Sequence, residues 1–237
     1  MSAKFVTTSP RVLLVVASPI EARAILNGSE PSPWTPHTVF PGLDVLMTGI
    51  GKANAAGAVG RCLDATKYDL VVNAGIAGAL AELPIRSTVV ATFSIFADEG
   101  IQTPTSFLDC SAMGFPLGDF EGSAVPASPA ALAWLRGFLE HATFAPIATV
   151  STCSGTDTLA AAIRGRTGAV AEAMEGAAIA LVCKRLAVSF VELRIISNTT
   201  GDRARQQWDI KGALAELASV IGTLAQALRE APSARKT

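Results

Sequence analysis

Two short segments in the second half of the chain carry side chains that could act together on a ligand. Segment 173–176 (AMEG) places the acid Glu175 where a helix begins, and segment 194–198 (RIISN) ends a β-branched strand with Asn198. In open parallel sheets, ligands bind beyond the carboxyl ends of the strands. The Glu175 carboxylate can accept hydrogen bonds from a diol, and the Asn198 amide can both donate to and accept from a heteroaromatic ring. This combination predicts a nucleoside site.

Two turns that contain glycine could form walls of such a site. Segment 49–52 (GIGK) is not a phosphate-binding P-loop, because Leu46 stands where the leading glycine should be and Ala53 follows the lysine. It fits a tight turn that opens a helix as well as it fits a wall of a sugar pocket. Segment 73–78 (NAGIAG) follows a strand-like run, and its small residues would let the backbone approach a ligand closely.

Glu21 is an acid that follows the first strand-like run of the chain. An acid in the first turn of a helix ordinarily interacts with the helix dipole, whereas in a nucleoside pocket it would orient a water molecule. Glu175 allows the same two interpretations. Glu192 and Arg194 lie on one face of a strand and could pair with each other.

Apolar runs that alternate with helical patterns must position these residues, and such alternation is typical of an α/β sheet covered on both faces. The predicted strands are Val12–Ala17, Val45–Thr48, Leu70–Asn73, Thr88–Phe96, Ile147–Ser151 and Phe190–Ser197. The predicted helices are Ile20–Leu26, Lys52–Ala65, Pro129–Leu139, Met174–Leu186 and Ile210–Glu230. Segments 27–38 and 99–126 fit neither pattern. Because long irregular segments in compact domains are often functional, we expect the second to cover the active site.

Length and composition limit the class of protein. With 237 residues, half of them hydrophobic, the chain fits one α/β domain over residues 1–231, followed by a disordered polar tail at 232–237. A net charge of -1 argues against a nucleic-acid surface, and no apolar run is long enough to span a bilayer. The four scattered cysteines predict reduced thiols in the cytoplasm. Neither of the two histidines belongs to a metal-binding pattern, so we expect no metal and no cofactor.

Several motifs occur together in an order that points to a known superfamily. Segments 49–52, 73–78, 154–156 (SGT), 174–175 and 194–198 resemble those of the nucleoside phosphorylase and nucleosidase superfamily, which includes methylthioadenosine/S-adenosylhomocysteine nucleosidase. The resemblance covers nearly the whole chain. It implies a single α/β domain with a mixed central β-sheet flanked by helices, a hydrolase acting on the N-glycosyl bond of a small nucleoside, and a homo-oligomer.

Other segments are most similar to one branch of that superfamily, the futalosine hydrolases. They are 96–100 (FADEG), 113–117 (MGFPL), 197–203 (SNTTGDR) and 208–210 (WDI). Enzymes of this branch remove hypoxanthine from futalosine in a route to menaquinone. The resemblance therefore implies hydrolysis of futalosine to hypoxanthine and dehypoxanthine futalosine.

The resemblance also assigns roles to individual residues. Glu21 would activate a water molecule, Glu175 would bind the ribose hydroxyls and support positive charge on the sugar, and Asn198 would stabilise the departing base. Met174 would lie against the ribose, and Arg194 would orient acidic groups. The residues implied to bind substrate are Ile76, Ala77, Gly78, Thr156, Met174, Arg194, Ser197 and Asp202.

Departures from the superfamily pattern narrow the substrate. Ile76 stands where a hydroxyl residue is common in relatives that use phosphate, which favours water as the nucleophile. Nucleosidases that release adenine carry acids at the positions of Ala173 and Asn198. An asparagine cannot deliver a proton to adenine, but its amide can donate to O6 or N7 of a 6-oxopurine. Thr158 replaces the aromatic residue that stacks on the base, so we expect Phe96 or Phe107 to take that part.

Four alternatives remain open at this point. A purine nucleoside phosphorylase would require phosphate, and a nucleosidase acting on methylthioadenosine is disfavoured by Ala173 and Asn198. A nucleoside-binding protein without activity would bind but not turn over its ligand. The fourth alternative is a generic α/β domain without a site, in which the candidate acids would only cap helices or form surface ion pairs.

Overall fold

The computed structural model describes residues 10–230, which form eleven strands and six helices. The strands are β1 (Val12–Val16), β2 (His37–Phe40), β3 (Leu43–Met47), β4 (Leu70–Ala79), β5 (Thr88–Phe96), β6 (Gly100–Gln102), β7 (Phe107–Asp109), β8 (Ala124–Pro126), β9 (Thr143–Thr149), β10 (Ala171–Ala173) and β11 (Ser189–Thr199). The helices are α1 (Pro19–Ile25), α2 (Lys52–Cys62), α3 (Pro129–Arg136), α4 (Asp157–Thr167), α5 (Gly176–Arg185) and α6 (Ile210–Glu230).

One mixed sheet organises the molecule. Its strands follow the order β10-β9-β5-β11-β4-β1-β3-β2, and β8 pairs with β5. Because β10 also pairs with β4, the strands β4, β11, β5, β9 and β10 close into a ring. Strand β4 is parallel to β1 and β11, whereas β5 is antiparallel to β11. This arrangement confirms the expected α/β class with a mixed central sheet flanked by helices.

The central strands are buried on both faces. Along β1, Val12, Leu14 and Val16 belong to a core cluster with α6, whereas Leu13 and Val15 pack in a second cluster with α2 and α5. Successive side chains of a strand point to opposite faces, so a strand covered on both faces must be apolar throughout. The uninterrupted hydrophobic run that predicted this strand therefore reflects its position in the middle of the fold.

Two predicted strands differ from the structure by four residues or more at one end, and the bounds of the other four agree within two residues. Strand β4 continues beyond Asn73 to Ala79, because the small residues 74–79 keep pairing with β11. Strand β9 begins at Thr143 and includes Pro146, which a sequence pattern treats as a strand breaker. The register of the pairing between β5 and β9 shifts between Ala91 and Ser94, opposite this proline, which accommodates the missing donor.

Several elements were absent from the sequence prediction. These are β2, β10, α4 and the three short strands β6, β7 and β8 within segment 99–126. The predicted tail at 232–237 lies outside the described residues. Within residues 10–230, no helix is both long and apolar enough to cross a membrane.

Candidate active site

A cavity of about 340 Å³ opens beyond the carboxyl ends of β1, β4 and β11. It is lined by nine of the residues that the sequence predicted for the site: Glu21, Ile76, Ala77, Gly78, Met174, Glu175, Arg194, Ser197 and Asn198. These residues come from α1, β4, the start of α5 and β11, so the fold collects them from distant parts of the chain. In sheets with parallel strands, ligands bind beyond the carboxyl ends of the strands, and this cavity lies at that position.

Two predicted site residues do not line this cavity. The side chain of Thr156 is the N-cap of α4 and accepts a hydrogen bond from the Leu159 amide. Asp202 and Asp157 exchange hydrogen bonds between backbone amides and carboxylates, and Arg205 contacts both carboxylates. Thr156 and Asp202 therefore hold the segment after β11 against α4, outside the cavity.

The aromatic residues expected to stack on the base also lie elsewhere. Phe96 and Phe107 line a neighbouring cavity of about 330 Å³, together with residues of segment 99–126. That segment covers this second cavity, and its residue Glu99 lines a further cavity together with Ile50 and Met174, which also line the first. That the segment covers the site stays a prediction. Trp208 is the aromatic side chain that lines the cavity of Glu175 and Asn198.

Glu21 is fixed at the floor of the cavity by four hydrogen bonds. Its Oε2 accepts from the amides of Ala17 and Ser18 and from the Ser18 hydroxyl, at 3.2, 2.9 and 2.8 Å. Its Oε1 accepts from the Ile76 amide at 3.0 Å. Ser18 and Glu21 form a capping box at the start of α1, so the acid caps a helix and lines the cavity at once. Only Oε1 keeps room for a further donor, because Oε2 already accepts three hydrogen bonds.

Gly75 provides the space that Glu21 and Arg194 share. A Cβ atom on Gly75 would stand 2.4 Å from Glu21 Oε1 and 2.6 Å from Arg194 Nη1. We expect Gly75→Ala to displace both groups, to lower kcat/KM at least tenfold and to destabilise the fold by about 1–3 kcal/mol through overpacking. Urea unfolding and steady-state kinetics measure the two effects.

The control for this substitution is Gly222→Ala in α6, because nothing lies within 4 Å of a Cβ atom built at that position. We expect this variant to keep full activity and to gain up to about 1 kcal/mol, since alanine is the better helix former. An equal effect of the two substitutions would show that the space at Gly75 is not required.

Arg194 joins two glutamates beneath the cavity. Its Nε donates to Glu192 Oε1 at 2.9 Å and its Nη2 donates to Glu175 Oε2 at 3.1 Å. The Asn73 amide, oriented with its oxygen toward the guanidinium, accepts from Nη2 at 2.7 Å. The other oxygen of Glu175 accepts from the Gly51 amide at 3.0 Å, which ties the 49–52 turn to the site. Arg194 therefore fixes the orientation of Glu175.

This cluster is almost completely removed from water. The side chains of Arg194 and Glu192 are 1% and 0% exposed. Burial disfavours the charged guanidinium, but the attraction of Glu192, Glu175 and Glu21 outweighs it, so the pKa of Arg194 is raised. Burial raises the pKa of Glu192, and Arg194 together with the hydroxyl of Ser94 opposes that rise. Arg194 is therefore charged at every physiological pH.

A β-bulge brings Ser197 and Asn198 to the same cavity. The pairing of β11 with β4 shifts register between Ile196 and Asn198, so Ser197 is the extra residue. In a regular strand these neighbours would point to opposite faces, and a bulge re-aims them. The Ser197 hydroxyl lies 2.9 Å from Asn198 Oδ1, to which it donates, and Asn198 Nδ2 donates to the Thr199 carbonyl. Asn198 is 8% exposed and faces the cavity.

Glu172 is a lining residue that the sequence analysis missed. Glu172 is 4% exposed, and its carboxylate accepts hydrogen bonds from the amide and the hydroxyl of Ser154, at 2.7 and 2.6 Å. Burial raises the pKa of Glu172, and the two bonds from Ser154 oppose that rise. A signal was present in the sequence, because Glu172 is a lone charge within the apolar run 169–174 (AVAEAM).

The sequence that builds this fold and cavity matches the model of a known family. The family model of the phosphorylase superfamily matches residues 12–231. The chain belongs to the phosphorylase superfamily.

Curated relatives agree with this membership, and solved structures share the fold. A futalosine hydrolase of Acidothermus cellulolyticus is 37% identical over 231 residues, which cover 92% of each chain. A futalosine hydrolase of Streptomyces coelicolor is 39% identical over 82% of this chain and 83% of that protein. The structure of the 5'-methylthioadenosine/S-adenosylhomocysteine nucleosidase of S. pneumoniae superposes with a TM-score of 0.72 at 20% identity, covering 92% and 99% of the two chains.

In this member of the phosphorylase superfamily, the charges around the cavity are mostly negative. Glu21, Glu172 and Glu175 line it, and Arg194 is the only basic side chain among the described lining residues. Arg194 is already engaged with Glu175 and Glu192. The arrangement can therefore stabilise a positive charge that develops on a ligand.

Proposed function

We propose that this chain is a nucleosidase that hydrolyses the N-glycosidic bond of futalosine, in menaquinone biosynthesis, to hypoxanthine and dehypoxanthine futalosine. The similarity to two futalosine hydrolases at 37% and 39% identity over most of their length supports this substrate. The observation that carries the reaction type is the cavity itself, in which acids surround the single engaged cation Arg194.

Water, and not phosphate, is the proposed nucleophile. A phosphate ion needs cationic or backbone donors that are free to bind it. Arg194 is 1% exposed and donates to carboxylates, and the side chain of Ile76 cannot donate a hydrogen bond. Glu21, in contrast, offers Oε1 as an acceptor at the floor of the cavity, where it would orient and deprotonate a water molecule beneath the ribose.

Glu175 is the proposed support for the sugar. Cleavage of a glycosidic bond passes through a state in which the sugar resembles an oxocarbenium ion. A buried carboxylate stabilises that charge strongly, because its site excludes water and its position is fixed in advance. Gly51 and Arg194 fix the carboxylate of Glu175 from two sides, while the edge that faces the cavity would accept hydrogen bonds from the ribose hydroxyls.

Asn198 is the proposed partner of the leaving base. Electrons move onto the purine as the bond breaks, so the ring must receive a hydrogen bond or a proton. The amide of Asn198 can donate to O6 or N7 of a 6-oxopurine. Hypoxanthine leaves more readily than adenine, so full proton transfer matters less for the proposed substrate.

We also propose that the enzyme is cytoplasmic and a homo-oligomer. The four cysteines, all within the described residues, are free thiols, which fits a reducing compartment. Ile50 and Trp208 both line the cavity, and they are 57% and 46% exposed. Exposed apolar side chains at the rim of a site often mark an interface between proteins. Equilibrium sedimentation would measure the oligomeric state.

The substrate assignment is tested by comparing nucleosides. We expect the purified protein to release hypoxanthine from futalosine with a kcat/KM at least ~10²-fold higher than that for release of adenine from methylthioadenosine, because unpaired buried groups strongly disfavour the wrong base. Chromatographic detection of the free bases measures both rates. Faster release of adenine would assign the chain to the other nucleosidase class.

A further inference from the structure

Two buried polar atoms without a partner lie at one cavity outside the proposed nucleoside site. Among residues 10–230, the buried side-chain atoms that form no hydrogen bond belong to Ser123, Arg166 and Ser189. Ser123 and Arg166 both line the cavity of about 330 Å³ that also contains Phe96 and Phe107. Buried polar groups in native proteins almost always have a partner, so each exception needs a cause. Two exceptions in one cavity indicate a ligand that supplies the missing partner to both.

The guanidinium of Arg166 is positioned in this cavity but not paired. Its Cζ atom lies 4.3 Å from the centroid of the Phe107 ring. Arg166 stands in the last turn of α4, where a cation interacts favourably with the helix dipole, but the dipole does not explain why its Nε atom is buried without a partner. Burial lowers the pKa of Arg166, and the attraction of Asp98 opposes that change. The guanidinium stays charged and keeps donors for a ligand.

Ser123 adds a hydroxyl whose place is fixed by the backbone. Its carbonyl accepts from the Phe96 amide at 3.0 Å, directly before β8 pairs with β5. Ser123 is 7% exposed, so its hydroxyl is largely withheld from water. A serine hydroxyl and a guanidinium are both hydrogen-bond donors, and an oxyanion accepts from both.

The other walls of the cavity indicate what carries that oxyanion. Phe96 and Phe107 present aromatic rings, which pack well against another planar ring. Asp109 and Glu121 also line the cavity, but one oxygen of Asp109 already accepts from a backbone amide at 2.7 Å and Glu121 is exposed to solvent. A planar carboxylate matches the fork of the Arg166 guanidinium, so an aromatic ring that bears a carboxylate fits both kinds of wall.

We propose that this cavity binds the carboxylate of an aromatic acid, with Arg166 and Ser123 as the donors. Phe96 lines this cavity and also the further cavity of Ile50 and Met174, two residues of the proposed nucleoside site. The carboxylate therefore has two possible sources, a separate aromatic acid or the far end of the nucleoside substrate. Futalosine carries such a group, a benzoate, and this second source rests on the proposed function.

Binding of benzoate tests the site without any turnover. We expect the wild-type protein to bind benzoate at least ~10-fold more tightly than the uncharged benzamide in a ligand-observed NMR titration, and Arg166→Met to abolish this preference, because hydrogen bonds to a charged group contribute that much. The matched control is Arg164→Met, which should keep the preference. Arg164 stands in the same turn of α4, is exposed and lines neither this cavity nor the nucleoside cavity.

Ser123→Ala is a second variant that separates the ligand from the fold. It removes a hydroxyl that has no partner among residues 10–230, so we expect no loss of thermal stability. The same substitution should weaken benzoate by ~3- to 10-fold, because one hydrogen bond to the carboxylate is lost. A variant with lower thermal stability and unchanged benzoate affinity would show that the hydroxyl serves the fold and not a ligand.

Kinetics with futalosine and with inosine, which lacks the benzoate, distinguish the two sources. If Arg166→Met lowers kcat/KM for futalosine at least ~10-fold more than kcat/KM for inosine, the carboxylate belongs to the substrate. If only the preference for benzoate is lost, the ligand is a separate aromatic acid.

The proposal is wrong if the folded Arg166→Met variant changes neither the preference for benzoate nor the futalosine-to-inosine ratio by more than about threefold. Protein that binds benzoate through Arg166 but does not cleave futalosine would contradict the proposed function alone.

Discussion

We expect Glu175→Gln to lower kcat/KM for futalosine by ~30- to 10³-fold, equivalent to about 2–4 kcal/mol of transition-state stabilisation. Glutamine keeps the shape of the side chain and can still accept from the Gly51 amide. It removes the negative charge that faces the developing positive charge of the sugar. It also turns the NH₂ group of the glutamine toward Arg194, so that two hydrogen-bond donors face each other. Steady-state kinetics in phosphate-free buffer measure the loss.

The exposed Glu140→Gln serves as the control for a change of charge far from the cavity, and it should keep wild-type kinetics. Thermal unfolding of both variants separates loss of catalysis from loss of fold. A folded Glu175→Gln variant with wild-type kcat/KM would remove Glu175 from the reaction.

Arg194→Met is expected to destabilise the protein by about 3–5 kcal/mol. The substitution leaves the carboxylates of Glu192 and Glu175 buried without their counterion. An intact buried ion pair adds little net stability, but removal of one partner is strongly destabilising because the other charge stays buried and unpaired. Methionine matches the length of the aliphatic part of arginine. The change in the free energy of unfolding therefore reflects the lost charge and not the loss of packing. Urea unfolding followed by tryptophan fluorescence gives the free energy of unfolding.

The matched control is Arg11→Met, which breaks the ion pair with Asp69. The side chains of that pair are 49% and 31% exposed, so solvent screens it and its loss should cost at most about 1 kcal/mol. If the two substitutions cost the same, Arg194 does not hold buried charge in place.

The chemistry of the site could be predicted where a local pattern marks the end of an element. Glu175 stands at the start of a helix, and Arg194 and Asn198 lie toward the end of a long buried strand, so strand-end geometry alone brings them together. For Glu21 the sequence left two interpretations open, a partner of the helix dipole or an acid that orients a water molecule. The structure places Glu21 in the first turn of α1 and in the lining of the cavity, and its action on water stays a proposal. Glu192 and Arg194 do pair, as one interpretation expected, but the pair also holds Glu175.

Residues placed by long-range pairing were not predictable in the same way. Glu172 lies on β10, a strand of three residues whose position depends on pairing with both β4 and β9. Helix α4 buries only Ile163, so it lacks the apolar stripe by which a helix is recognised. Thr156 and Asp202 were expected in the cavity because they belong to the motifs 154–156 and 197–203, yet their side chains accept hydrogen bonds from backbone amides at the start of α4.

Hydrolysis by water is tested most directly by identifying the products formed from futalosine in the presence of saturating phosphate. We expect equal amounts of hypoxanthine and a reducing sugar, at a rate that phosphate does not change, because the acids around the engaged Arg194 favour water. A sugar 1-phosphate as the product, or turnover that requires phosphate, would contradict it.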